Sequence, residues 1–378
     1  PIGSFLSGGI DSTLICALQQ TQSNNKINTF SIGFDNKSFN EASYAKKISK
    51  YLNTNHNEII LNESKNLDIV SNLSNIYCEP FADSSQLPTF LLCNELKKFY
   101  KVALSGDGGD ELFGGYNRYI WISKIWPIIN LFPITIRKLI FKYTSLISLD
   151  LIDSIFFILK KITFNYINVK FAGQKLNNLS IKLQTVNNID ELFMYFISEW
   201  TPEDKLILNH EYDNTIFYKY SKNNQFSIEE NMMMHDTINY LPNDILTKTD
   251  RASMNNSVEI RSPFLNSNLF KNAWQVPQIN KIYNNNGKII LKDILKKYIP
   301  KNLYDRPKQG FAVPIDDWLR TSLYDWANDY LSVESLKSNN FFDFKIINRR
   351  WEQHLSGKKN WGQSLWTVII FQQWYQNR

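Results

Sequence analysis

Short stretches of this chain bring together the residue types that handle phosphates. Ser7-Gly8-Gly9-Ile10-Asp11-Ser12-Thr13 follows an apolar run, Ile2 to Leu6, and leads into a helix-forming stretch. Two glycines at a strand end, with a helix N-terminus behind them, offer bare N–H groups and a positive dipole end to a phosphate chain. The lysine of a Walker A loop is missing, so the γ-phosphate cradle of that motif is not present. Asp11 would repel phosphate unless a cation lay between them, which makes it a candidate Mg²⁺ ligand. Taken alone, the stretch reads equally well as a capped turn with Asp11 or Ser12 as N-cap.

The run VALSGDGGDELFGGY, Val102 to Tyr116, adds five glycines and three acids after another strand. Asp107, Asp110 and Glu111 crowd into one loop, where carboxylates repel one another without cations. A solvated acidic turn is the plain alternative, but it leaves the second glycine pair, before Tyr116, unexplained. In PKNLYDRPKQGFAVP, Pro300 to Pro314, Arg306 and Lys308 stand beside a Gly-Phe turn. A fixed cation there complements a developing negative phosphorus centre, although a basic pair in a loop is ordinarily solvated surface. Tyr240 to Asn266 carries Asp250, Arg251, Glu259 and Arg261, read as a helical run ending at Pro263. Interhelical ion pairs and substrate contact explain these four charges equally well, and spacing does not choose.

The elements that must position these residues follow from periodicity. Ile2 to Leu6, Ile27 to Ile32, His56 to Leu61 and Lys101 to Leu104 read as strands; Ser12 to Gln22, Asn40 to Leu52 and Pro88 to Lys98 read as helices. That rhythm predicts an α/β fold, a parallel twisted sheet with flanking helices. After Tyr119 the pattern turns helical, including Lys288 to Ile299 and the terminal SLWTVIIFQQWYQ. The expected organisation is an α/β core over 1–120, a helical insertion over 121–235 and a helical part over 236–378. Ile125 to Ile136 is apolar but broken by two prolines, so a buried helix pair is expected there and not a membrane span.

With 378 residues and 43% hydrophobic content, the chain can bury a large core. Its net charge of +6 is spread along the chain, which is weak support for nucleic acid. Cys16, Cys78 and Cys93 lack C-x-x-C spacing and the four histidines fall far apart, so neither a disulfide framework nor a zinc site is indicated, as suits a reducing cytoplasm. The chain begins at Pro1 and is read as a piece of a longer protein.

In combination and order, FLSGGIDST, TFSIGFD, ALSGDGGDELFGGY, TDRASMNNSVEIRSPFL and RPKQGF resemble the synthetase domain of the asparagine synthetase B family, within the PP-loop ATP pyrophosphatases. The resemblance implies a ligase that adenylates a substrate carboxylate, releases pyrophosphate, and lets ammonia displace AMP. Aspartate is the expected acceptor, and ammonia is expected from a glutaminase domain outside this sequence. By position, Ser7, Gly8, Gly9, Asp11 and Ser12 match the pyrophosphate loop, Asp11 and Asp110 the Mg²⁺ ligands, and Phe5, Ile32, Ser105 and Gly106 the adenosine site. Lys308 matches the lysine that steadies the pentavalent phosphorus. Asp107 stands where well-studied members have glutamate and β-lactam synthetases tyrosine, and Asn266 replaces the aspartate of PFLD.

The resulting expectation has Lys308, Asp107 and Glu259 as catalytic residues, Asp250, Arg251 and Arg261 at the substrate, and ATP with Mg²⁺ as cofactors. A cytoplasmic protein is expected, with a homodimer allowed for and neither nucleic acid nor membrane as partner. Amidation of another carboxylate, such as a uronic acid, closure of a β-lactam, and a tRNA-modifying adenylase stay open. A pocket of Asp107, Glu259 and Arg261 would discriminate: a wide mouth suits a sugar, a small one with a fixed cation suits aspartate.

Overall fold

The computed structural model describes residues 2–34, 42–61, 66–144, 151–152, 154–155, 172–210, 223–306 and 313–378. Five strands, β1 (Ile2–Phe5), β2 (Asn28–Phe34), β3 (Asn55–Leu61), β4 (Val102–Leu104) and β5 (Glu259–Arg261), form one sheet in the order β3-β2-β1-β4-β5. All four pairings are parallel. Parallel neighbours require long crossovers, and the helices α1 (Ile10–Thr21), α2 (Ala42–Leu52), α3 (Asn66–Val70), α4 (Leu73–Tyr77) and α5 (Gln86–Leu96) supply them. The expected α/β architecture is present. The chain winds outward from β1 to β3, then returns to place β4 on the other side of β1. A switch point therefore lies between the carboxyl ends of β1 and β4, where open α/β sheets bind ligands.

Each sheet face has its own core. Leu14, Ile15 and Cys16 of α1 pack with Leu291, Leu295 and Ile299, while Phe30, Leu92, Leu96 and Ala103 pack with Val258. Each fully buried large side chain contributes about 1.5–3 kcal/mol, so these clusters fix the strand ends that carry the loops.

The expected helical run through Glu259 and Arg261 is corrected. The helix Thr247–Asn255 ends before them, and Glu259–Arg261 is the edge strand β5. The reason is alternation: Val258 and Ile260 pack into the Phe30 cluster, whereas Glu259 and Arg261 face solvent, a period of two. The capping explanation is corrected too, because α1 starts at Ile10 with Gly9 as N-cap and no side-chain cap. The helix pair around the two prolines forms as α7 (Asn117–Asn130) and α8 (Ile134–Thr144), preceded by the short α6 (Gly109–Phe113). It is not buried throughout, since Ile128, Leu131, Phe132 and Ile136 are exposed while Arg137 is buried, donating to Phe132 O and Val186 O.

The chain divides into two compact units. One holds residues 1–120, 222–330 and 366–378, including the sheet; the other holds 121–221 and 331–365. Within the second, Trp200 Nε1 donates to Ser364 O at 3.0 Å and the Arg350 guanidinium lies between the Trp200 and Trp361 rings. Ser364 and Trp361 belong to the returning segment, so the unit is assembled from two separate stretches of chain. No helix among the described residues is long and apolar enough to cross a membrane.

Candidate active site

Both glycine-rich loops leave the sheet at the switch point and touch. After β1, Ser7 Oγ lies 3.0 Å from Ser12 Oγ and accepts from Gly9 N at 3.2 Å, which folds the loop back on the first turn of α1. After β4, Gly106 passes so close to α1 that a Cβ there would stand 2.9 Å from both Asp11 Cβ and Ser12 N. Only glycine permits this approach, and it brings Asp11 and Asp110 within reach of one cation.

That cation is Lys288. Its buried Nζ donates to Asp11 Oδ2 and, at 2.6 Å, to Asp110 Oδ1. Burial alone would lower the Lys288 pKa, but the two carboxylates hold it above the usual lysine range. A small hairpin, β6 (Ile282–Tyr283) and β7 (Asn286–Gly287), delivers this lysine through Asn284 and Asn285, both at positive φ. Gly115 makes room for it: a Cβ there would lie 1.9 Å from Asp110 Oδ1 and 2.2 Å from Lys288 Cε. The second glycine pair, unexplained in the sequence, thus clears the path of a lysine far along the chain.

Asp107 points to the other side of its loop. It accepts from Ser105 Oγ at 2.8 Å and Thr249 Oγ1 at 3.4 Å, and burial raises its carboxyl pKa above the usual range. Glu111 is buried beneath, accepting from Tyr116 OH at 2.6 Å; burial, then the neighbouring Asp110 charge, push it up to about 7.

A polar stripe faces these loops. Asp236 and Tyr240, with Asp244 and Lys248, recur every fourth residue along a π-helix, Asp236–Leu246, and into the helix Thr247–Asn255. Asp236 takes Arg118 and Tyr119 OH, both at 2.5 Å. The Arg118 guanidinium lies 4.0 Å from the Tyr116 ring centroid and 5.2 Å from that of Tyr240. Lys248 Nζ donates to Asp83 Oδ2 at 2.6 Å and Ser85 Oγ at 2.8 Å, with Asp244 Oδ1 at 4.0 Å. Burial, then the Asp83 carboxylate, lift Asp244 to about 7. Burial also presses upward on Asp83, yet the Lys248 ammonium and the Ser85 bonds hold it below the usual carboxylate range.

The structure therefore gathers Ser7, Gly8, Gly9, Asp11, Ser12, Ser105, Gly106, Asp107 and Asp110 at the switch point, with Phe5 at the end of β1 and Ile32 in the carboxyl half of β2. It does not gather Glu259 and Arg261, which are mostly exposed on β5 and bond each other at 2.7 Å. Asp250 and Arg251 are exposed on their helix, while Lys248 and Thr249 of the same run turn inward. Lys308 lies outside the described residues; Arg306, just before it, sits over Tyr44 at 4.2 Å, and Tyr44 lies against Gly8. Lys288 and Lys248 are missing from the sequence expectation. An Asn-Asn-Asn-Gly turn signal before Lys288 and a four-residue polar repeat ending at Lys248 are the traces that could have marked them.

Glycine-rich loops at the switch point of a parallel sheet, with two carboxylates converging on a lysine, define a doubly wound α/β protein built to hold a charged ligand. The asparagine synthase family model matches residues 1–376, and the chain belongs to that family. A Mycobacterium tuberculosis (strain ATCC 25618 / H37Rv) protein provisionally named asparagine synthetase (glutamine-hydrolyzing) is 30% identical over 99% of this chain and 54% of its own length. Asparagine synthetase (glutamine-hydrolyzing) 1 of Bacillus subtilis (strain 168) is 26% identical over 99% of this chain and 56% of its own. The chain thus spans about half the length of these relatives.

Proposed function

We propose that this chain is the synthetase part of an AMP-forming amide ligase: it joins ATP to a substrate carboxylate, releases pyrophosphate, and lets ammonia displace AMP. The observation that carries this reading is the convergence of Asp11 and Asp110 on Lys288 between two glycine-rich loops at the sheet's switch point. The names of the relatives favour aspartate as acceptor and glutamine, hydrolysed elsewhere in a longer protein, as ammonia source.

Attack on an α-phosphorus brings an anion to an anion, so the pyrophosphate must be neutralised in place. The glycine-rich loop and the N-terminus of α1 behind it receive its oxygens, and Lys288 holds a proton and a positive charge beside them. Asp11 and Asp110 fit Mg²⁺ by chemistry and placement: both are hard oxygen donors, and both already reach one common cation. Among the described residues no group of three or more His, Cys, Asp and Glu side chains is placed to hold a metal, and Mg²⁺ bound with ATP asks for only one or two protein carboxylates. When bound, Mg²⁺ supplies charge neutralisation on the departing pyrophosphate. Lys308 is assigned to the phosphorus itself. Asp107, whose carboxyl pKa burial raises above the usual range, orients the incoming nitrogen or the acceptor.

The test is product analysis with ATP, aspartate and ammonium. AMP and pyrophosphate are expected in equal amounts, with at least a ~100-fold loss in Asp11→Asn. ADP as the product, or undiminished pyrophosphate release in the variant, contradicts the assignment.

A further inference from the structure

We propose that Lys248, clamped by Asp83 and Ser85 next to Asp107, is the fixed cation that binds the acceptor's carboxylate. This rests on the amide-ligase reading and deepens it, by replacing Arg261 as the anion-recognising residue. Three observations carry it.

The first is placement. Lys248 and Asp107 each feel the other's charge, and Thr249, the next residue, donates to Asp107, so the ammonium stands on the Asp107 side of the β4 loop. The pyrophosphate-loop cation, Lys288, is occupied by Asp11 and Asp110 on the other side. Two lysines thus divide the labour, one for the nucleotide's charge and one for a second anion.

The second is unspent bonding capacity. An ammonium has three donors. Lys248 spends two on Asp83 and Ser85, and Asp244 Oδ1, at 4.0 Å, is beyond hydrogen-bond range. Asp244 Oδ1 is itself buried without a hydrogen-bond partner. One donor of the ammonium is thus left for an incoming carboxylate.

The third is rigidity. Ser85 N and Oγ both donate to Asp83 Oδ1 at 2.8 Å, and the Lys248 side chain is only 12% exposed. The clamp is anchored at the start of α5, and the π-helix feeding Lys248 is a rare element, frequently found at functional sites. The upward shift of Asp244, to about 7, reduces the negative charge an incoming carboxylate meets at neutral pH. Arg261 offers none of this, being mostly exposed and bonded to Glu259.

The experiment measures AMP formation by the full chain with ammonium, using aspartate and, in parallel, glucuronate as acceptors. With whichever acid turns over, Lys248→Met is expected to raise the acceptor KM at least ~30-fold while the ATP KM stays within ~3-fold. Lys248→Arg should recover part of that loss. A Lys248→Met acceptor KM within twofold of wild type overturns the inference and leaves the ligase reading standing, as does a matching rise in the ATP KM. A wild-type chain that forms AMP with neither acid counts against both. Misfolding is separated by the melting temperature and by ATP binding, which the arginine variant is expected to keep.

Discussion

At the scale of single residues, the site depends on side chains that are absent as much as on those present. Gly106 and Gly115 let two loops and a lysine occupy space that a methyl group would fill. Gly115→Ala would press on Asp110 and Lys288 together and is expected to cost about 1–3 kcal/mol, read as a lowered chemical-denaturation midpoint, along with most of the activity. Gly357→Ala is the control, since nothing lies within 4 Å of the added carbon and only the positive φ is strained. If both variants lose the same stability and activity, close packing around Lys288 is not what Gly115 provides.

At the scale of elements, the π-helix decides which charges face inward. It aligns Asp236, Tyr240, Asp244 and Lys248, and the following helix carries Thr249 to Asp107 while Asp250 and Arg251 turn outward. Asp244 has its pKa raised, so the folded state binds its proton more tightly than the unfolded chain does. Stability from this group is therefore present at acid pH and is lost as pH rises from the ordinary carboxylate range through about 7. Asp244→Asn removes the titration. It is expected to be more stable than wild type at pH 8, by on the order of 1 kcal/mol after screening, and to lose that advantage towards pH 4. Thermal melts across that range check it, and an advantage that grows on acidification contradicts the buried, elevated carboxyl.

At the scale of the whole molecule, a chain of net charge +6 gathers a carboxylate-rich site at the carboxyl ends of the interior strands β1 and β4. Its thiols are sorted by the same burial. Cys16 and Cys93 are buried and pushed up to about 12, by burial in the first case and by burial and then Asp107 in the second. Cys78 is exposed, so of the three cysteines a thiol reagent is expected to label one in the native protein and all three in denaturant. Rapid native labelling of more than one would contradict the packing of α1 and α5 on the sheet.

The sequence by itself determined the parallel α/β rhythm, the two glycine-rich loops and the acids within them. Those signals are local: strand and helix periods, turn chemistry and short motifs act over a few residues. The same locality misread β5, because the two-residue alternation from Val258 is too short to stand out beside the helix before it. Only the tertiary structure decided which cations serve the site. Lys288 meets Asp11 and Lys248 meets Asp83 across long stretches of chain, and such meetings depend on strand order and on the close approach at Gly106 and Gly115. Arg261, which sits in a matching motif, was turned to solvent by the pleat of β5, and Lys248, which no motif marked, was turned inward by its helix.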